Sequence, residues 1–234
     1  METVGASEGS ERELELYEEQ LREQRIRLDR VFAWLLLAQW AFAILLALVY
    51  SPYAWEGKQQ VIHAHVYLAL FMGGGITLLP VLMARTMAGS APTRHVIAIS
   101  QMLWSALLIH LTGGRIETHF HVFGSLAWLA FYLDWRILIS ATVVVVAEHF
   151  LRGLYYPESV YGIANPEWWR FLEHAFWVAF EGAILVLACR NGLRSLREAA
   201  ARQAQLEELS ESEQNKALAL ELLLTEMKAR TVGA

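Results

Sequence analysis

Six apolar segments follow one another along the chain and leave few folds open to it. They lie at residues 31–50, 62–83, 95–112, 118–133, 137–156 and 171–190. A helix rises about 1.5 Å per residue against roughly 30 Å of hydrocarbon, so the first three segments and the last can each cross a bilayer. The fourth is short and spans only inside a bundle or a thinned bilayer, which leaves five spans as the alternative. The pattern predicts an all-α, polytopic membrane bundle of about six helices.

The ends of the chain differ in composition from its middle. With 56% hydrophobic residues and a mean hydropathy of +0.32, the chain is too apolar for an ordinary soluble domain. The polar residues concentrate at both ends, and no nucleic-acid-binding pattern is found there. We therefore predict a cytoplasmic amphipathic helix at 1–30, a transmembrane domain at 31–190 and a cytoplasmic coiled coil at 191–234.

Loop charges predict the orientation. Ten Arg side chains flank the spans on one side, whereas one Lys and three Arg side chains lie on the other. Cytoplasmic loops carry the excess of Lys and Arg, which places both termini in the cytoplasm. Residues 1–30 are charged throughout and contain no signal peptide, so we expect the first span to be retained as an anchor.

The polar C-terminal segment has a heptad pattern. Seven of its ten a and d positions are apolar, which is typical of a parallel dimeric coiled coil and predicts a homodimer. These positions are Leu196, Ala199, Gln203, Leu206, Ser210, Glu213, Ala217, Leu220, Leu224 and Met227.

Histidines gather at one depth of the predicted bundle. One of the eight, His95, lies on the inner side, and we interpret it as structural. The other seven fall at the outer ends of five spans: His63, His65, His110, His119, His121, His149 and His174. This placement indicates a shared site near the outer membrane face.

Three carboxylates lie at the same depth as these histidines. Glu117, Glu148 and Glu173 are each one or two residues from a histidine. Ionisable groups at membrane depth are costly and usually pair with each other or with an ion. Imidazole and carboxylate together can ligate a transition metal, and the glutamates can act as ligands or can orient the imidazoles. The sequence predicts a buried metal centre near the periplasmic face.

Helix geometry narrows the ligand set. Positions i and i+2 point to nearly opposite sides of a helix, so one member of each His-X-His pair is expected to bind, and we favour His65 and His121 as the deeper members. No methionine lies at the outer end to form a Cu(I) site, so non-haem iron, zinc or Cu(II) is expected, with ligands enough for two ions. Haem b held by two histidines is the alternative cofactor.

Several motifs between residues 30 and 190 carry a resemblance. They are His63-Ala64-His65, Thr93-Arg94-His95, the stretch from Gly113 to His121, Asp134-Trp135-Arg136, Glu148-His149, Trp169 and Glu173-His174. With them the chain resembles the six-span N-terminal sensor module of bacterial signalling proteins, which precedes histidine kinase, diguanylate cyclase or chemoreceptor output regions. The resemblance implies a sensory role in a bacterial inner membrane and a cytoplasmic output domain or signalling partner.

The sequence leads to one main expectation for function and to two alternatives. The first is a non-enzymatic sensory input domain whose metal centre responds to a ligand, a gas, a redox change or the metal, and passes the change to the coiled coil. Because the chain stops at Ala234 without an output domain, we expect a sensor fragment or signalling through the coiled coil itself. The alternatives are a haem b sensor or electron carrier, and a metal-dependent oxygenase, which the i+2 spacing and the outer location disfavour.

Overall fold

The computed structural model describes residues 2–232, and helices dominate it, as predicted. A hairpin of β1 (Tyr53–Glu56) and β2 (Gln59–Ile62) comes after the first helix, and a π-helical segment, Leu68–Met72, joins the second helix to the third. The helices are α1 (Glu2–Tyr50), α2 (Ala64–Tyr67), α3 (Gly73–Thr86), α4 (Ala91–Leu111), α5 (Ile116–Ala130), α6 (Trp135–Tyr155), α7 (Glu158–Tyr161) and α8 (Arg170–Val232).

Each of the six apolar segments is helical over most or all of its length. Within residues 2–232, four stretches are long and apolar enough to cross a membrane: Ser10–Tyr50, Ala64–Thr86, Trp135–Tyr155 and Arg170–Lys228. The helix α5 has only 15 residues, and α4 is long enough but carries buried polar side chains such as Gln101 and Ser105. The structure therefore contains several helices that could cross a membrane, and the number six stays a prediction.

The chain packs as two compact units. The larger unit, Arg22–Gly192, contains the hairpin and the bundle, and its core is built around α4. Close packing on α3 is possible because Gly73 and Gly74 have no side chain: a Cβ on Gly73 would lie 2.8 Å from the Trp104 ring, and one on Gly74 would lie 2.9 Å from the Trp40 ring. These glycines come directly after the π-helical segment, so the packing fixes α3 from its first turn.

Buried polar pairs stabilise the turns that precede α4 and α6 in the larger unit. Arg94 Nε donates to Asp134 Oδ2 at 2.8 Å, and Tyr132 Oη donates to Asp29 Oδ1 at 2.7 Å. The second oxygen of Asp29 accepts the backbone N–H of Gly89 at 2.6 Å. Two of the motifs that carry the resemblance, Thr93-Arg94-His95 and Asp134-Trp135-Arg136, thus meet in one ion pair.

The smaller unit combines residues up to Leu21 with residues from Leu193 onward. Leu16 of α1 packs on Ala200 and Ala204 of α8, and an ion pair of 2.9 Å joins Arg12 to Glu207. The two helices run antiparallel within one chain. Beyond this contact the apolar a and d positions Leu206, Leu220, Leu224 and Met227 are 50% to 67% exposed, and the parallel dimer stays a prediction.

Candidate metal centre

Three of the seven outer histidines converge from three helices. The ring centroids of His119 on α5 and His149 on α6 are 5.6 Å apart, and His174 on α8 lies 5.5 Å from the first and 6.1 Å from the second. His119 and His149 are buried, with 6% and 5% of their surface exposed. The three rings form one group, which we call the triad.

All three triad imidazoles are oriented in the same way. The Nδ1 atoms of His119, His149 and His174 lie 2.9 to 3.0 Å from the backbone carbonyl four residues earlier in each helix. A carbonyl only accepts, so Nδ1 must carry the proton and Nε2 keeps its lone pair in the neutral ring. The buried Nε2 of His119 has no hydrogen-bond partner within residues 2–232. Each ring therefore presents the nitrogen that commonly binds metals.

A carboxylate contacts the Nδ1 side of His149, and a guanidinium pairs with that carboxylate. Glu148 Oε1 contacts His149 Nδ1, and Glu148 Oε2 accepts from Arg152 Nη1 at 2.9 Å. Arg152 also donates to the backbone oxygens of Ala106 and Ser159, at 2.9 and 2.6 Å. A carboxylate on the far nitrogen of a histidine raises its basicity and fixes its tautomer. Glu148 is thus placed to orient an imidazole, and Arg152 pairs with its second carboxylate oxygen.

The backbone conformation of the turn before α5 explains why two glycines occur there. Gly113 and Gly114 have φ values of +69° and +75°, a left-handed conformation that glycine adopts without strain. A Cβ on Gly114 would lie 2.9 Å from the backbone carbonyl of Val160 and closer still to the backbone nitrogen of Gly162. One on Gly113 would have no neighbour within 4 Å. The close approach at Gly114 lets the segment after α6 lie against the start of α5.

That segment brings Tyr161 to the triad. Its ring centroid is 5.4 Å from that of His174. Burial, followed by the negative charge of Glu148, raises the pKa of Tyr161 above its ordinary value. The phenol therefore stays neutral at physiological pH and borders the site as a polar but uncharged group.

A second group contains the remaining histidines near the hairpin. The ring centroids of His63 and His65 are 4.2 Å apart, and His110 lies 5.1 Å from His65. However, His63 Nδ1 accepts the backbone N–H of His65 at 3.0 Å and caps α2. The neutral ring then carries its proton on Nε2, so neither nitrogen of His63 has a lone pair free for a metal.

His121 belongs to neither group. Its Nε2 lies 2.8 Å from Gln39 Nε2, which can only donate, and its Nδ1 lies 2.7 Å from the Ser105 hydroxyl. That hydroxyl donates to the carbonyl of Gln101, so it accepts from His121. Both ring nitrogens are used in this buried network, which links α1, α4 and α5. Of the two histidines in Glu117-Thr118-His119-Phe120-His121, the geometry favours His119, the member not preferred from sequence.

The other glutamates differ in environment from Glu148. Glu117 is exposed and pairs with Arg115 at 3.1 Å, whereas Glu173 is exposed at the edge of the triad. Sequence reasoning missed Glu181, a half-buried residue on α8 whose buried Oε2 has no hydrogen-bond partner within the described residues. It lies seven residues after His174 and hence on the same helix face, which was the available signal.

The ring spacings of the triad are similar to those of a metal site, but its side chains are not arranged to bind an ion. Among residues 2–232, no three His, Cys, Asp or Glu side chains are arranged so that they could hold a metal ion. With metal–nitrogen bonds of about 2.1 Å, imidazoles around one ion have ring centroids roughly 5 to 6 Å apart. The observed separations of 5.5 to 6.1 Å lie at the upper end of that range.

Comparison with known proteins indicates a signalling class. A stretch of 114 residues, 47% of this chain, is 34% identical to transducer protein Htr8 of Halobacterium salinarum. The match covers 17% of that transducer, so the chain corresponds to a minor part of its length. No family profile matches the chain, and no solved structure matches it. The resemblance stated from the motifs is confirmed at this coarser level, as similarity to a transducer-type signalling protein.

Proposed function

We propose that this chain is the membrane sensory input domain of a signalling protein, and that the triad holds a transition-metal ion near the periplasmic face. The partial similarity to a transducer protein and the four long apolar helices support the sensory and membrane parts. In this proposal the chain lies in a bacterial inner membrane with both termini cytoplasmic, as the Arg-rich inner loops favour.

The observation that carries the metal proposal is the shared tautomer of the triad. Three helices bring imidazole rings to centroid separations of 5.5 to 6.1 Å, and the helix backbone holds each Nδ1 proton, so each Nε2 keeps a lone pair. In this proposal a metal cation would accept the three lone pairs, and Glu148 would orient His149 as carboxylates commonly do behind ligating histidines.

The ligand set favours non-haem iron, zinc or Cu(II). Imidazole suits all three ions, and the triad offers no thioether or thiolate. Haem is disfavoured at this place because two imidazoles on opposite faces of a porphyrin leave no room for a third beside them. In the triad all three ring centroids are 5.5 to 6.1 Å apart. Whichever two imidazoles bound the haem iron, the remaining one would occupy space that the porphyrin ring needs.

Signal output depends on which helices bear ligands. One ligand each comes from α5, α6 and α8, and α8 continues as one helix to Val232. A change in ligation would alter the preferred arrangement of these three helices, and a few kcal/mol of differential binding suffices to shift two such states. We propose a non-enzymatic role, dimerisation through the exposed heptad positions after Leu206, and a cytoplasmic output partner.

Metal analysis of the full chain purified in mild detergent tests the proposal. We expect about one metal ion per chain, lost in His149→Ala and in His174→Ala. The matched controls are His95→Ala and His121→Asn, which should keep the metal because neither residue belongs to the triad. Full retention in both triad variants, or an iron-containing sample with a Soret band, would reject the triad as the ligand set.

A further inference from the structure

The turn between α5 and α6 contains a strained residue. Leu133 has a φ of +53°, and among the described residues no other residue except glycine adopts a positive φ. The left-handed conformation is unfavourable for a residue with a Cβ, because the Cβ crowds the following carbonyl oxygen. Such strain persists only where the surrounding structure imposes it. The neighbours of Leu133 should therefore show what imposes the strain.

Other helices hold the turn on both sides of Leu133. Before it, Gln24 Nε2 of α1 donates to the backbone carbonyl of Phe131 at 2.6 Å. After it, Asp134 accepts from Arg94 Nε of α4 at 2.8 Å in a buried ion pair. Because the chain is fixed on either side, Leu133 cannot relax without loosening one of these interactions.

The side chain of Leu133 reaches α8 at Gly192. A Cβ on Gly192 would lie only 2.5 Å from Leu133 Cδ2, so the contact exists because this position has no side chain. One turn earlier on α8, Cys189 is fully buried and its Sγ donates to the backbone carbonyl of Ala130 at 3.4 Å. The turn and α8 therefore meet at two neighbouring points, and the strained residue supplies one of them.

This contact is tight on a helix that is otherwise loosely packed. Only 6% of the most apolar window of α8 is buried. A Cβ on Gly182, earlier on the same helix, would have one neighbour within 4 Å, Thr142 Oγ1 at 3.9 Å, which is an ordinary van der Waals separation. Asn191 and Gly192 are also poor helix formers, so α8 can bend at this point more easily than elsewhere. The contact with Leu133 is therefore well placed to control the position of α8.

We propose that Leu133 and Gly192 form a conformational switch with two positions, seated and released. In the seated position, the one seen in this structure, Leu133 lies against Gly192 and holds α8 to the turn. In the released position Leu133 returns to an ordinary backbone conformation, and α8 moves away. Release loses packing but relieves backbone strain, so a stimulus needs little differential binding to shift the two populations. The switch goes beyond the proposed function and does not depend on the metal site.

The single cysteine of the chain reports on the switch. Cys189 is fully buried beside the contact in the seated position, so its thiol should react with N-ethylmaleimide only when α8 is released. The full chain in mild detergent is alkylated, and the rate is followed by mass spectrometry beside that of the denatured chain. Wild type should react at least about tenfold more slowly than the denatured chain.

Filling the space at Gly192 should favour release. Gly192→Ala places a Cβ where the Leu133 side chain lies, and alkylation of Cys189 should become about tenfold faster. Gly182→Ala is the matched control on the same helix. It should keep the wild-type rate, because its Cβ finds space.

A second pair of variants tests the backbone strain. Leu133→Ile keeps the side-chain volume, but branching at Cβ disfavours the left-handed conformation further, so alkylation should accelerate several-fold. Leu133→Met is also of similar size but is unbranched at Cβ, and it should react as wild type does. If Leu133 acted through packing alone, these two volume-conserving changes would have similar effects.

Thermal unfolding followed by circular dichroism separates local release from loss of the fold. We expect faster alkylation of Gly192→Ala and Leu133→Ile at temperatures where both chains are folded. If Gly192→Ala does not fold, the comparison of Leu133→Ile with Leu133→Met decides. Equal rates in those two variants would overturn the switch, and so would a folded Gly192→Ala chain that reacts as slowly as wild type. Wild type that reacts as fast as the denatured chain would overturn it as well.

Discussion

Arg94 and Asp134 form a buried ion pair, with 2.8 Å between Nε and Oδ2 and only 10% of each side chain exposed. Arg94 also donates to the carbonyl of Gly89, and Asp134 accepts the backbone N–H of Arg136. One pair thus joins the first turn of α4 to the start of α6, and Arg94 also ties down the turn before α4 through Gly89. It accounts for two of the motifs by a structural role, at the end of the bundle away from the triad.

Arg94→Met should destabilise the bundle strongly, by about 3 kcal/mol or more, because it leaves a buried carboxylate without its partner. The double variant Arg94→Met/Asp134→Leu should recover part of the loss, since no unpaired charge remains. Thermal unfolding in detergent, followed by circular dichroism, measures both. A double variant less stable than Arg94→Met would show that Asp134 stabilises the fold through contacts other than its charge pairing with Arg94.

Acid should weaken the same pair. Burial alone would raise the pKa of Asp134, but the hydrogen bonds from Arg94 and from the Arg136 N–H, together with the guanidinium charge, lower it below the ordinary value. A carboxyl with a lowered pKa stabilises the fold above its unfolded pKa, and this contribution is lost as the pH falls through the folded value. Asp134→Asn should flatten the acid side of the stability curve measured by thermal unfolding.

The paired glycines before α5 should differ in tolerance to substitution. Gly113→Ala should cost about 1 to 2 kcal/mol, the penalty of a left-handed residue with open space around it. Gly114→Ala should cost more, because its Cβ also meets the backbone of Val160 and Gly162. Thermal midpoints of the two variants compare them directly, and equal losses would show that the contact with the α7 segment is unimportant.

Replacement of His121 should separate stability from metal binding. His121→Ala removes one of the two acceptors of the buried Gln39 amide, while the other, Gln101 Oε1, stays at 3.0 Å, so the thermal midpoint should fall by an amount corresponding to about 1 to 3 kcal/mol. Metal content per folded chain should stay that of the wild type. Loss of metal together with an unchanged midpoint would instead make His121 a ligand and would contradict the network.

The dimer can be tested at the exposed heptad positions. Leu220→Glu/Leu224→Glu should convert a dimer to a monomer, because charges would replace the apolar seam. Leu222→Glu/Leu223→Glu is a matched control, since these leucines are similarly exposed but lie off the a and d register. Light scattering during size-exclusion chromatography measures the mass. A wild-type monomer would reject the predicted dimer.

Sequence reasoning identified the helices well, because each apolar segment is a long run that only a helix can satisfy in lipid. It missed the hairpin of β1 and β2, in which Tyr53 pairs with Ile62 and Glu56 with Gln59. Four-residue strands offer too little alternation to be distinguished from a loop. The antiparallel contact of Leu16 with Ala200 was also missed, since the small alanines give no hydrophobic period.

The grouping of the histidines could not be predicted from the sequence, and their role as ligands stays a prediction. The i+2 spacing of His119 and His121 correctly predicted that the two side chains have different surroundings. It could not predict which of the two lies beside other histidines. That choice depends on side-chain rotation and on the partners of each ring nitrogen, such as Gln39 for His121. These partners come from helices distant in sequence, and spacing along one helix carries no information about them.

The π-helical segment at Leu68–Met72 gives this bundle a place where helix length can change. A π turn holds one residue more than an α turn of the same rise, so it absorbs an insertion without displacing the residues of α3. Removing one residue there would restore an α-helix and rotate everything before it by about 100°. His65 would then swing away from His110, while Gly73 kept its contact with Trp104. Such a deletion would reorient the hairpin end and leave the core contacts of α3 unchanged.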